Sequence, residues 1–115
     1  MEIREYVTQD GRAVYTEWLN KVRDRQARVK IRTQIDRLEQ GNTGDCKALG
    51  SGLHELRIHY GPGYQIYFGH TGKHIILLLC AGNKATRQRD IKRARHYWND
   101  YRSRTWNQAD PTRNT

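Results

Sequence analysis

Glu55, Arg57 and His59 alternate along LHELRIHY, and Lys84 ends the run LLLCAGNK. Alternate residues of a strand share a face. The first three are therefore expected side by side, with Lys84 at the mouth of the same sheet. A carboxylate, an imidazole and two cations on a rigid support could handle a phosphodiester. General acid–base help is worth roughly 10²–10⁴-fold in rate, and preorganised cations stabilise a developing negative charge further. Glu55 is the candidate base, and Arg57 is a candidate bidentate phosphate ligand. His59 can titrate near neutral pH, and Lys84 is a candidate phosphate contact. Each has a plainer reading. Glu55 and Arg57 could be a surface ion pair, His59 a solvated histidine at a strand end, and Lys84 a loop lysine.

The elements around these residues set the frame. Glu2 to Val7 reads as a short strand, stopped by Asp10-Gly11. Val14, Tyr15, Trp18, Leu19 and Val22 recur at helical spacing. Asp24 is placed to cap a second helix, with a stripe of Ala27, Ile31, Ile35 and Leu38 and a stop at Gly41-Asn42. So short a link implies an antiparallel helical hairpin. The glycine-rich stretch 41–52 reads as a loop. Leu56 and Ile58 then face one side of a strand and Glu55, Arg57 and His59 the other. Gly61-Pro62-Gly63 turns the chain into a strand holding Tyr64, Ile66 and Phe68, and a turn over His70–Lys73 leads to a third. Ile75 to Cys80 is apolar on both faces, which predicts an interior strand covered on both sides. Thr86 is a plausible cap for a final basic helix with an apolar stripe of Ile91, Ala94, Trp98 and Tyr101. Beyond Tyr101 the chain is polar and is expected to be a flexible tail over residues 102–115.

The chain has 115 residues and a net charge of +9, which fits one domain and predicts an anionic partner. Residues 84–115 hold nine Lys or Arg against three Asp, a net +6. Arg87 and Arg89 open the last helix, where cations oppose the helix dipole, so they are better explained by a bound anion than by helix stability. Lys92 and Arg93 continue that basic face, and Tyr67 could stack on a base. The five histidines and two cysteines match no metal-ligand spacing, so neither metal nor cofactor is expected. Cys80 reads as a core residue, and the cysteine usage fits a reducing, cytoplasmic setting. No stretch is apolar enough for a signal peptide or a membrane span.

Several segments together resemble the RelE/ParE superfamily of bacterial toxins, in the branch of addiction-module killer proteins with HigB-like and phage Gp49-like members. They are WLNKVRD, GNTGDCKALGSGLHELRIHYGPGYQIYFG, LLLCAGNK and DIKRARHYW. The resemblance spans residues 1–101. It implies an α+β, RelE-like domain: an N-terminal strand and helical hairpin packed on a small antiparallel sheet, with a C-terminal basic helix. It implies a toxin of a type II toxin–antitoxin system, acting as a ribosome-dependent mRNA endonuclease. Its partners would be the ribosome, mRNA and a cognate antitoxin with a helix-turn-helix domain. Metal-free RNA cleavage uses the 2′-hydroxyl as nucleophile, a group that DNA lacks. Arg57 matches the strand arginine of the branch, and Lys84 a basic residue after the last strand. Gln65 departs from the pattern, because arginine is common there, and Asp90 lies near the place of a tyrosine that some nucleases of the fold carry. The ParE arm of the superfamily implies an alternative, a non-enzymatic inhibitor of DNA gyrase. A further alternative is an inactive toxin that only binds its antitoxin.

Overall fold

The computed structural model describes residues 1–72 and 74–109. The elements run β1 (Glu2–Glu5), α1 (Val14–Lys21), α2 (Arg25–Glu39), β2 (Cys46–Gly50), β3 (Leu53–Ile58), β4 (Tyr64–Thr71), β5 (Ile75–Asn83), a 3₁₀ turn (Lys84–Thr86) and α3 (Arg87–Ala109). The fold is α+β, with one five-stranded sheet in the order β1-β5-β4-β3-β2. It is a mixed sheet rather than the antiparallel one expected, because β1 runs parallel to β5 while the other neighbours are antiparallel. As its two-sided apolar pattern predicts, β5 lies between β1 and β4.

Each face of the sheet has its own core. On one face Leu56, Ile58, Ile66, Phe68 and Ile76 meet Tyr15 of α1 and Ile31 and Leu38 of α2. On the other, Leu53, Tyr67, Leu77 and Leu79 meet Ala94 and Trp98 of α3. Asp24 caps α2 as expected: its Oδ1 accepts from the amides of Gln26 at 2.9 Å and Ala27 at 3.3 Å. Its other oxygen accepts from Tyr60 Oη at 2.9 Å, which ties the helical hairpin to the end of β3. Cys80 is buried in β5, and burial pushes its thiol pKa up to about 12.

Two expectations need correction. The stretch 41–52 is only half loop, since Cys46–Gly50 forms the edge strand β2 paired with β3. Ser51 (φ 57°) and Gly52 (φ 84°) join the two strands. Positive φ at both central residues is the requirement of a two-residue type I′ hairpin. The last helix also does not stop at Tyr101 but runs on to Ala109. Tyr101 stacks on Trp98, and Arg102 donates to the Ser51 carbonyl at 3.1 Å. Arg104 pairs with Asp100 at 2.8 Å and lies over the Tyr6 ring. These contacts hold the turn that the polar sequence hides. Of the expected tail, residues 110–115 lie outside the described residues, as does Lys73 of the turn before β5.

Candidate functional site

Strand register builds the site in two rows beneath the start of α3. Arg57 pairs with Gln65, and Gln65 with Gly82. One step along, Glu55 pairs with Tyr67, and Tyr67 with Cys80. Directly paired residues on neighbouring strands face the same side. That side is the one α3 covers, so the first turn of α3 closes over both rows.

Glu55 is the centre of the arrangement. It is fully buried. Its Oε2 accepts from Arg87 Nε at 2.8 Å and from Tyr67 Oη at 2.9 Å. Its Oε1 accepts from Arg57 Nε at 3.1 Å and Arg87 Nη2 at 3.2 Å. A carboxylate offers about four lone-pair positions, and four donors occupy them. Desolvation alone would raise the Glu55 pKa, but the hydrogen bonds from Arg87, Tyr67 and Arg57 outweigh it and lower the pKa below the ordinary value. The assignment of Glu55 as general base is therefore corrected. A buried carboxylate with a donor at every lone-pair position has none free to take a proton from a hydroxyl. It holds two guanidinium groups, those of Arg57 and Arg87.

Tyr67 is corrected as well. Its ring is wholly buried, so no face is open for a base to stack on. Burial and the bond to Glu55 raise its pKa, leaving a neutral phenol that donates to the carboxylate. The arginines keep an outer side, because the side chains of Arg57 and Arg87 are each 35% exposed. Lys84 is exposed, and its alkyl chain lies along Gly63 of the β3–β4 turn, where a Cβ would come within 2.9 Å of Cε. His59 lies just past β3 and pairs with Asp45 at 2.5 Å. It is not part of the Glu55 cluster, so the expected trio on one face is reduced to a pair.

Sequence reasoning missed the second buried acid. Asp90 has no exposed surface and sits directly on Gly82, where an added Cβ would fall 1.8 Å from its Oδ2. Gly82 is there because the carboxylate fills its side-chain space. Asp90 accepts from Thr86 Oγ1 at 2.5 Å, Arg93 Nη1 at 3.3 Å and Arg89 Nη2 at 3.4 Å. The signal was an acid in the first turn of a basic helix, next to the pair Thr86–Asp90. The two buried acids also revise the reading of Arg87 and Arg89. Their unfavourable place in the helix dipole is offset inside the protein, by Glu55 for Arg87 and partly by Asp90 for Arg89. Arg93 leans on Asp90 and on the Tyr97 ring. Arg89 and Lys92 are exposed on the outer side of α3.

Gln65 is buried between Arg57 and Gly82 in the first row, and its Oε1 has no hydrogen-bond partner among the described residues. Among the described residues no group of three or more His, Cys, Asp or Glu is arranged to hold a metal ion. No described helix is long and apolar enough to cross a membrane.

No family model matches the chain. It is similar to a Haemophilus influenzae (strain ATCC 51907 / DSM 11121 / KW20 / Rd) protein described as "Uncharacterized protein". The identity is 41% over 81 residues, which cover 70% of this chain and 82% of that protein.

Proposed function

We propose that this chain, which belongs to the same family as the Haemophilus influenzae protein, is the toxin of a type II toxin–antitoxin system and acts in the cytoplasm as a ribosome-dependent mRNA endonuclease. The supporting observation is the pair of part-exposed guanidiniums, Arg57 and Arg87, fixed by one buried carboxylate. Together with the resemblance to the RelE/ParE toxins, this favours a site that works by charge stabilisation. Rigid cations aimed at a phosphate lower the energy of the pentacovalent state without reorganising during the reaction. Arg57 and Arg87 hold the scissile phosphate, and Lys84 and Arg89 hold its neighbours. Glu55 is a positioning residue that acts through the two arginines. His59, paired with Asp45 just past β3, is the remaining candidate for moving a proton. Lys92 and Arg93 would meet RNA backbone on the ribosome. A cognate antitoxin with a helix-turn-helix domain would hold the toxin inactive.

Induced expression with mapping of mRNA 5′ ends tests this reading. Wild type should arrest growth and leave new ends within coding regions, and Arg57→Ala and Lys84→Ala should abolish both. Growth arrest by the two variants equal to that of wild type would refute the assignment. One observation favours the gyrase reading instead: the carboxylate best placed to act as a base is fully engaged. Inhibited supercoiling by purified gyrase with intact mRNA would select it.

A further inference from the structure

We propose that the groove between α2 and the end of β3 is a docking site for an acidic protein segment that carries apolar side chains. The groove has a volume of about 560 Å³, with Lys30 and Arg37 on its helical wall and Arg57, Ile58, His59 and Tyr60 on the other. Val29 lines it and is 64% exposed, an aliphatic side chain left open to water on the outer face of α2. Val29 and Lys30 also wall a second, shallower hollow of about 320 Å³ with Arg25 and Gln26. The two hollows thus form one strip along the helix.

The charge of this strip is unspent. Arg25, Arg28, Lys30, Arg32 and Arg37 make no ion pair among the described residues. On α3, by comparison, Arg87, Arg89, Arg93 and Arg104 are each held by an acid, while Lys92, Arg95 and Arg102 make no ion pair among the described residues. The one acid lining the groove, Asp45, is engaged by His59. Charge complementarity therefore calls for an anionic occupant.

Two features favour a peptide over RNA. An exposed valine gains from burial against an aliphatic side chain and gains nothing from a phosphate. Of the two rings on the groove wall, His59 is paired with Asp45, and Tyr60 is held by Asp24 and Gln26, with Lys30 Nζ 5.4 Å from its centre. A base would have to displace that ammonium to stack there. An acidic segment with an apolar residue among its carboxylates satisfies both cations and valine, in the manner of an anchor with charged flanks. The groove runs along α2, and Arg57 and His59 at its edge also belong to the proposed RNA site; the case for a peptide stands on Val29, Lys30 and Arg37 and does not rest on the RNA-cleavage reading.

The test is fluorescence anisotropy at about 0.15 M ionic strength. The probe is a labelled peptide of about twelve residues, with two leucines four residues apart among glutamates. The comparisons are the same peptide with serine for leucine, and an oligouridylate of equal charge. Lys30→Glu/Arg37→Glu should weaken the leucine peptide about tenfold or more, and Val29→Ser about threefold. The equally charged control Lys47→Glu/Arg95→Glu should change binding by less than about twofold, with circular dichroism confirming that all variants fold. Equal losses in the two double variants would overturn the proposal. So would equal binding of leucine and serine peptides, a tighter oligouridylate complex that depends on Lys30 and Arg37, or no peptide binding at all.

Discussion

Replacing Glu55 by glutamine removes the charge at the centre of the site while keeping its volume. Three of the four hydrogen bonds into this carboxylate come from guanidinium N–H groups and one from Tyr67. Bonds to charged groups contribute about 1.5–3 kcal/mol each and a neutral one about 1 kcal/mol. A glutamine retains one acceptor oxygen, so about two of the donors keep a partner, and its amide N–H₂ is turned toward a guanidinium. Both arginine side chains are 35% exposed, so water recovers part of what they lose. The net cost is about 2–4 kcal/mol. At roughly 4 °C per kcal/mol for a chain of this length, Glu55→Gln should melt roughly 8–16 °C below wild type near neutral pH.

The pH dependence supplies the sharper check. The folded-state pKa of Glu55 lies below its ordinary value. Its contribution to stability is therefore fully present above the ordinary carboxylate range and is lost as pH falls through the depressed folded value. Glutamine cannot titrate, so the stability gap between the two proteins should shrink steadily on acidification from about pH 5 downward. Thermal and urea denaturation followed by circular dichroism from about pH 7 to pH 3 measures the gap. The account of Glu55 as a saturated clamp is refuted if the variant melts within about 2 °C of wild type at neutral pH, or if the gap stays constant into acid. A catalytic base would behave differently: activity would vanish while neutral-pH stability stayed close to wild type.

Tyr67→Phe removes one of the four donors and should cost about 1–2 kcal/mol in urea titrations. Because the hydroxyl removed is spent on Glu55 inside the protein, the variant should leave oligonucleotide affinity unchanged, and a loss of affinity in a fully folded variant would refute that account. Gly82→Ala drives a methyl group into Asp90 Oδ2 and should cost about 2 kcal/mol or more by the same denaturation; a neutral effect would mean that α3 is free to lift. Asp24→Ala should lose about 1–2 kcal/mol through the α2 cap, read as a lower urea midpoint. Gln65→Met replaces a buried acceptor that has no donor among the described residues; it should fall within about 1 kcal/mol of wild type.

The elements whose sequence signal was periodic were legible before any coordinates. The α2 stripe, its Asp24 cap, the interior strand β5 and the α3 face of Ala94 and Trp98 all stand where their spacing put them. The edge strand β2 was not legible. CKALG carries one strong apolar residue, and its pairing partner comes through a two-residue turn inside a glycine-rich run. The parallel pairing of β1 with β5 joins residues more than seventy positions apart, and no local pattern encodes it. At the site, strand parity correctly put Glu55 and Arg57 on one face. It could not show that α3 would bury that face, and so it misjudged what a carboxylate there can do. The same closure hid the functional meaning of Asp90 and of Gly82.

The closure of α3 also changes what the basic composition means. By sequence, the excess of positive charge belongs to the last quarter of the chain, a net +6 over residues 84–115. In the fold, Arg87, Arg89, Arg93 and Arg104 are each held by an acid, and the three acids involved, Glu55, Asp90 and Asp100, are buried or partly buried. A pinned arginine has already lost much of its rotamer freedom, so engaging a phosphate costs it less entropy than engaging a free one. It offers geometry, and its long-range pull is offset by its acid. The cations of α2 are the reverse case, with long-range attraction and no fixed geometry. Anions approaching the protein are thus steered by α2 as well as by α3, and orientation is supplied where Glu55 and Asp90 lie underneath. Screening by salt should accordingly weaken binding at α2 more steeply than binding at the Arg57–Arg87 pair.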